Sequence, residues 1–134
     1  AVYINNLSKN SAPTISSFYN CIITGARKNN LVLATPLPEY YEGKFIGNYM
    51  RADSLSDAFA ANNVYASDSD SVVFRNTYYM SREYRYYDFC LDSLSPARGI
   101  ADSIVAAVYP VDRLGHRRKK HPDAGCYEYI EAAE

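Results

Sequence analysis

Short apolar runs, each cut off by Asn, Asp, Ser, Gly or Pro, follow one another from Val2 to Leu91. Val2-Tyr3-Ile4 opens the chain, and Phe18-Tyr19-Asn20-Cys21-Ile22-Ile23 is closed by Thr24-Gly25. Leu31-Val32-Leu33 runs into the Pro36-Leu37-Pro38 loop, and Phe45-Ile46-Gly47-Asn48-Tyr49-Met50 comes next. Asn62-Asn63-Val64-Tyr65, Ser71-Val72-Val73-Phe74 and Tyr86-Tyr87-Asp88-Phe89-Cys90-Leu91 complete the series. Runs of this length and content, bounded by turn formers, predict short β-strands. Helical spacing is scarce. Ser54 to Ala61 has Asp53 or Ser54 as a candidate N-cap, and Ile100 to Val108 begins near Asp102, placed to cap Ile104, Val105 and Val108. Each predicts a turn or one short helix.

Asn recurs beside the strands, as Asn20 before Cys-Ile-Ile, Asn48 before Tyr-Met and Asn63 before Val-Tyr. Asn tolerates the left-handed backbone of sharp corners, and stacked Asn side chains can hydrogen-bond from one layer to the next. The spacing is uneven, so this pattern by itself fits a degenerate β-solenoid and a β-sandwich equally.

The last third is more particular. Leu91, Ser95-Pro96-Ala97, Asp102, Asp112, Gly115, Arg117, Asp123, Gly125 and Tyr127-Glu128-Tyr129 occur in fixed order. This series resembles the C-terminal closing segment of secreted bacterial parallel β-helix repeat proteins of the pectate-lyase-like superfamily. Arg98-Gly99-Ile100-Ala101-Asp102 stands where that family has Ile-Asp-Ala-Gly, and Ala124-Gly125-Cys126 stands for its final Ile-Gly-Ala. The resemblance is close over residues 95–129 and loose before them. It implies an all-β fold, a right-handed parallel β-helix (solenoid). Residues 1–94 would be its last coils, stacked on further coils upstream, and residues 95–134 its closing or capping segment.

In that reading Ser95, Pro96, Asp102, Asp112, Gly115, Arg117, Asp123, Gly125, Tyr127 and Glu128 are structural. A solenoid end exposes backbone groups and a core cross-section, and so requires a cap. Ser95-Pro96 is expected to end the final strand, since Pro lacks a ladder donor. Asp112 is expected to pair with Arg117 or Arg118 across the Gly115 turn. Tyr127 and Tyr129 are expected to alternate around Glu128 in a last extended strand. The competing reading makes Asp102, Asp112, Asp123 and Glu128 a catalytic or calcium site.

Composition narrows the classes. Lys+Arg at 14 against Asp+Glu at 15 gives a net charge of -1, which supplies no electrostatic attraction to nucleic acid. No apolar run reaches the roughly 20 residues of a membrane helix. The 14 Tyr, with no Trp, suit half-buried sheet positions or a sugar-stacking surface. Cys21, Cys90 and Cys126 have apolar neighbours and no Cys-x-x-Cys spacing, which favours small buried hydrophobes and leaves room for one disulfide.

The densest Arg/Tyr stretch, Tyr78, Tyr79, Arg82, Tyr84, Arg85 and Tyr86, with Tyr87 beside it, is the candidate carbohydrate-binding patch. Aromatic faces stack on sugars, and Arg forks bind uronic carboxylates. The plain alternative is a loop packed on the exterior. His116 and His121, in His-Arg-Arg-Lys-Lys-His, read as a solvated basic loop, with an anion-binding loop as the alternative. Asp68-Ser69-Asp70 reads as a turn, since the Gly and distal Glu of a calcium loop are missing. No metal or cofactor is expected, and calcium would belong only to a parent protein. The resemblance places the protein outside a bacterial cell, in the periplasm or on the outer surface. Polysaccharide or oligosaccharide and the upstream coils are the expected partners. A non-enzymatic surface or adhesin-type protein-binding module is the alternative function.

Overall fold

The computed structural model describes residues 2–5, 13–34, 41–67, 73–77 and 87–131. The described chain is all-β apart from one short helix. A first pass contains β1 (Val2–Asn5), β2 (Thr14–Ile15), β3 (Phe18–Tyr19) and β4 (Ile22–Ile23). A second contains β5 (Leu31–Ala34), β6 (Tyr41–Glu42), β7 (Phe45–Ile46) and β8 (Tyr49–Met50). A third begins with β9 (Ala60–Ala61) and β10 (Val64–Tyr65). The hairpin strands β11 (Phe74–Asn76) and β12 (Asp88–Leu91) and the helix α1 (Ser103–Val108) follow.

Successive passes pair in parallel. β1 lies on β5 and β2 on β6, while β3-β7-β9 and β4-β8-β10 form three-stranded sheets. Among the described strands only β11 and β12 pair antiparallel. The pairing of residues 2–65 therefore excludes a Greek-key sandwich, whose neighbouring strands run antiparallel.

Like residues stack. Phe18, Phe45 and Ala60 align, as do Ile23, Met50 and Tyr65. The Phe18 and Phe45 rings lie parallel at 5.1 Å, and Tyr41 packs beside Phe45 at 5.8 Å. With Leu31 they make the inner core, from which Phe45 and Met50 are wholly excluded from solvent.

The long apolar runs are each broken by a corner. Asn20 (φ 54°), Gly47 (φ 66°) and Asn62 (φ 55°) occupy the left-handed region at equivalent places in the three passes. Gly47 has a second reason to be glycine, since a Cβ there would lie 2.5 Å from Asn20 Oδ1 and 2.6 Å from the Asp102 nitrogen. The residue after the second and the third corner forms the ladder. Asn48 Oδ1 accepts from the Cys21 N–H at 2.8 Å, and its Nδ2 donates to Phe18 O and to Asn63 Oδ1, both at 2.9 Å. Asn63 repeats this one layer on, accepting from the Asn48 N–H and donating to Phe45 O. The Asn pattern thus resolves into two sets, corners at 20 and 62 and ladder amides at 48 and 63.

Ser54 to Ala61 is not helical. A turn over 57–59 leads into β9, because Ala60 and Ala61 pair with Phe45 and Ile46. Short Ala-rich sequence holds little helix without packing, and pairing to an existing edge prevails. The second stretch does form a helix, and Asp102 caps it by accepting from the Ile104 and Val105 N–H groups at 3.0 and 2.9 Å.

Replacing Asn48 with Leu leaves the Cys21 N–H and Phe18 C=O without their partners. We expect a loss of about 2–5 kcal/mol in urea denaturation. Lys28→Ala, at an exposed position, serves as the neutral control.

Candidate functional site: a carboxylate-fastened closing segment

Residues 92–131 lie along the outer face of the β4-β8-β10 sheet. Ile22, Tyr49 and Val64 align there in one column, and Ala97, Ala101 and Ala124 press onto it together with Leu91. Small side chains let the backbones approach: Ala124 N–H donates to Ala97 O at 2.9 Å, and Ala101 N–H to Pro122 O at 3.0 Å. The expected function of the segment was to cover a solenoid end; the contacts seen are lateral. The tie to the first corner is mutual. Asn20 Oδ1 accepts from the Asp102 N–H at 2.7 Å, Asn20 Nδ2 donates to Asp102 O at 3.0 Å, and Gly125 N–H donates to Asn20 O at 2.7 Å.

Outside α1 the segment has no regular ladder, so buried carboxylates take over the backbone donors. Asp112 Oδ1 accepts from the Leu114 and His116 N–H groups at 2.8 and 2.9 Å, and its Oδ2 from the Glu128 N–H at 3.0 Å. The His116 ring Nδ1 lies 3.2 Å from the same Oδ2. Asp123 joins Gly99 N–H to Tyr129 N–H, both at 2.7 Å. Glu128 Oε1 accepts from the Asp123 N–H and from Arg118, each at 3.0 Å. Arg118 also donates to Asp123 O and Gly125 O. All three carboxylates are almost wholly buried.

Burial alone pushes the Asp112 carboxyl up. The N–H groups of Glu128, His116 and Leu114 and the His116 ring outweigh it, so the group titrates below its ordinary 3.8.

Several expectations are corrected here. Asp112 pairs with neither Arg117 nor Arg118. Arg117 is exposed and meets Val111 through an isolated antiparallel bridge. The following residue, Arg118, turns inward to Glu128, the alternation of an extended backbone. β12 ends at Leu91, ahead of Ser95-Pro96; Ser95 instead caps a turn, its Oγ accepting from the Ala97 N–H at 3.3 Å. Residues 127–129 form no strand, since the Glu128 and Tyr129 N–H groups go to carboxylates and leave no ladder donors. Gly99, Gly115 and Gly125 all adopt positive φ at the turns of the segment. Cys126 is exposed, not a buried hydrophobe, and the three thiols are free.

Among the described residues no group of three His, Cys, Asp or Glu is arranged to hold a metal ion. The carboxylate oxygens point at N–H donors, and that is chemistry of attachment. His121 is exposed, and Arg98 stacks over the Tyr129 ring at 3.9 Å. The candidate carbohydrate patch, Tyr78, Tyr79, Arg82, Tyr84, Arg85 and Tyr86, lies outside the described residues, as does Asp68-Ser69-Asp70. Tyr87 is described, half-exposed and stacked on Phe89 at 6.1 Å. Among the described residues no helix is long and apolar enough to cross a membrane.

Beside the fastening lies an apolar cleft of about 820 Å³. Its walls come from the β3–β4 edge, the β11–β12 hairpin, α1 and residues 124–127. Comparison with protein-family models, with characterised proteins and with solved structures finds no match.

Three outcomes follow from the geometry. Arg118→Ala strips a buried carboxylate of its partner and should cost about 3–5 kcal/mol. Arg117→Ala should stay within about 0.5 kcal/mol in the same urea titrations. Asp112 adds stability that is complete above about pH 4 and lost as pH falls through its lowered native pKa. Wild type should therefore lose more stability between pH 7 and pH 2.5 than Asp112→Asn does. Equal losses would remove Asp112 from the acid response.

Proposed function

We propose that this chain is the structural C-terminal part of a secreted or cell-surface bacterial parallel β-helix, with residues 95–134 as its closing segment. The supporting observation is positional. The corners Asn20, Gly47 and Asn62 and the column Ile22, Tyr49 and Val64 recur at equivalent places in three parallel-paired passes. A stack of coils requires this repetition, since each coil must place its corner over the last. The closing segment then holds the outer face through Asn20 and its buried carboxylates, a task that needs no turnover.

The wider role we propose is association with polysaccharide, binding or degrading it at the level of the whole protein. It rests on the family resemblance of residues 95–129 and on the Arg/Tyr content of residues 78–86. A glycan array spanning plant, algal and host polysaccharides tests it directly. The chain should bind at least one class, and Arg82→Ala with Tyr84→Ala should weaken that binding about tenfold, at unchanged stability. Absence of binding across all three classes would remove the carbohydrate role and favour a protein-binding surface module.

A further inference from the structure

Among the described residues the cleft adjoins an unfinished sheet edge. β3 and β4 each lie, among the described strands, at one edge of their sheets. The Phe18 and Asn20 N–H groups donate to β7 and its flanks, and Cys21 O and Ile23 O accept from Tyr49 and Arg51. Backbone direction alternates along a strand, so the N–H and C=O of Tyr19 and Ile22 face the other way, toward the open edge. Tyr19 O takes the Cys21 thiol at 3.2 Å. The residues presenting this edge, Tyr19 and Ile22, also line the cleft.

The column of outward apolar residues points to the same place. Val64, Tyr49 and Ile22 lie one after another beneath the closing segment. Neighbouring strands sit about 4.8 Å apart. One further step past Ile22 falls in the cleft, where Phe89, Val105, Tyr109 and Tyr127 offer apolar surface. The closing segment and hairpin thus extend over one more layer than the described strands fill.

We propose that the cleft is the seat of one further extended strand, added in parallel to β4. This inference rests on the stacked-coil reading above and names the partner of its open edge. The occupant is recognised by a four-residue signature: Asn or Gly at a left-handed corner, any residue, then two apolar residues. The first apolar side chain enters the cleft, and the second stacks on Ile23. The second position is free because the ladder stops there. Each ladder Asn reaches back to the preceding layer, and Cys21, at the equivalent place, has no amide to offer. Main-chain pairing with Ile22 and the two apolar contacts therefore carry the recognition, as in strand addition generally.

The chain's own second pass, Gly43 to Ala52, bears the signature as Gly47-Asn48-Tyr49-Met50 and serves as probe. A fluorescein-labelled peptide of these residues is titrated against the full chain by anisotropy. It should bind at least tenfold more tightly than the same peptide carrying Tyr49→Asp and Met50→Asp. N-methylation of the peptide at Met50 removes the donor to Ile22 C=O and should weaken binding about tenfold. N-methylation at Tyr49, which faces away, should change it less than twofold. Hydrogen exchange of the Tyr19 and Ile22 amides should slow on binding. Equal affinity for both peptides, or equal effects of the two methyl groups, would overturn the proposal. Exchange protection of the Tyr49 and Val64 amides in the free chain reads the stack itself, so failure of the seat is separable from failure of the stack.

Discussion

Every part of this structure depends on satisfying backbone polar groups where the strands are too short to do it. Most of the described strands span two residues, and left-handed corners turn the chain after β3, β7 and β9. A corner breaks the ladder at each pass and leaves buried N–H and C=O groups facing inward. Asn48 and Asn63 meet that need in the stack, each holding the preceding layer by one accepted and one donated bond. The closing segment has the same problem with fewer strands still, and Asp112, Asp123 and Glu128 answer it. The aromatic inner core adds apolar burial, but the bonded corners set how the layers align.

One residue ties the two halves by hydrogen bonds in both directions. Asn20 supplies the left-handed corner of the first pass, and its side chain makes a reciprocal pair with the Asp102 backbone. Asp102 in turn caps α1. Close packing at this point explains Gly47, whose missing Cβ leaves room for both Asn20 and the Asp102 peptide. Corner, helix cap and closing segment are therefore positioned by one small cluster.

Much of this was legible in residue order, though not its partners. Apolar runs between turn formers marked β3, β4, β5, β7 and β8, and Asp102 was readable as a cap because capping is local. The Asn residues signalled corners and stacking, but one Asn type serves both roles, so the sequence could not separate 20 and 62 from 48 and 63. β9 was masked by Ala-rich composition that has helical spacing yet pairs as a strand. The carboxylates are legible as fastenings, but the sequence pairs Asp112 with Arg117 or Arg118, whereas Arg118 goes to Glu128. Long-range donors such as the Glu128 N–H leave no mark in local spacing.

The choice of amides in the stack and carboxylates in the closing segment follows from repetition. A ladder places the same group in layer after layer, about 4.8 Å apart. Ionised side chains at that spacing would repel, and in a buried site the repulsion is poorly screened. An amide avoids this because it is neutral and both donates and accepts, so each layer bonds to the next. The closing segment has no such repeat of layers. Its carboxylates differ in surroundings, and the Arg118 guanidinium beside Glu128 supplies a compensating charge. Charge-assisted bonds are stronger than neutral ones, and a segment without its own ladder needs strength from few contacts. The same logic separates their responses: acid that protonates Asp112 removes its charge-assisted bonds, whereas the neutral amides of the stack carry no titrating group.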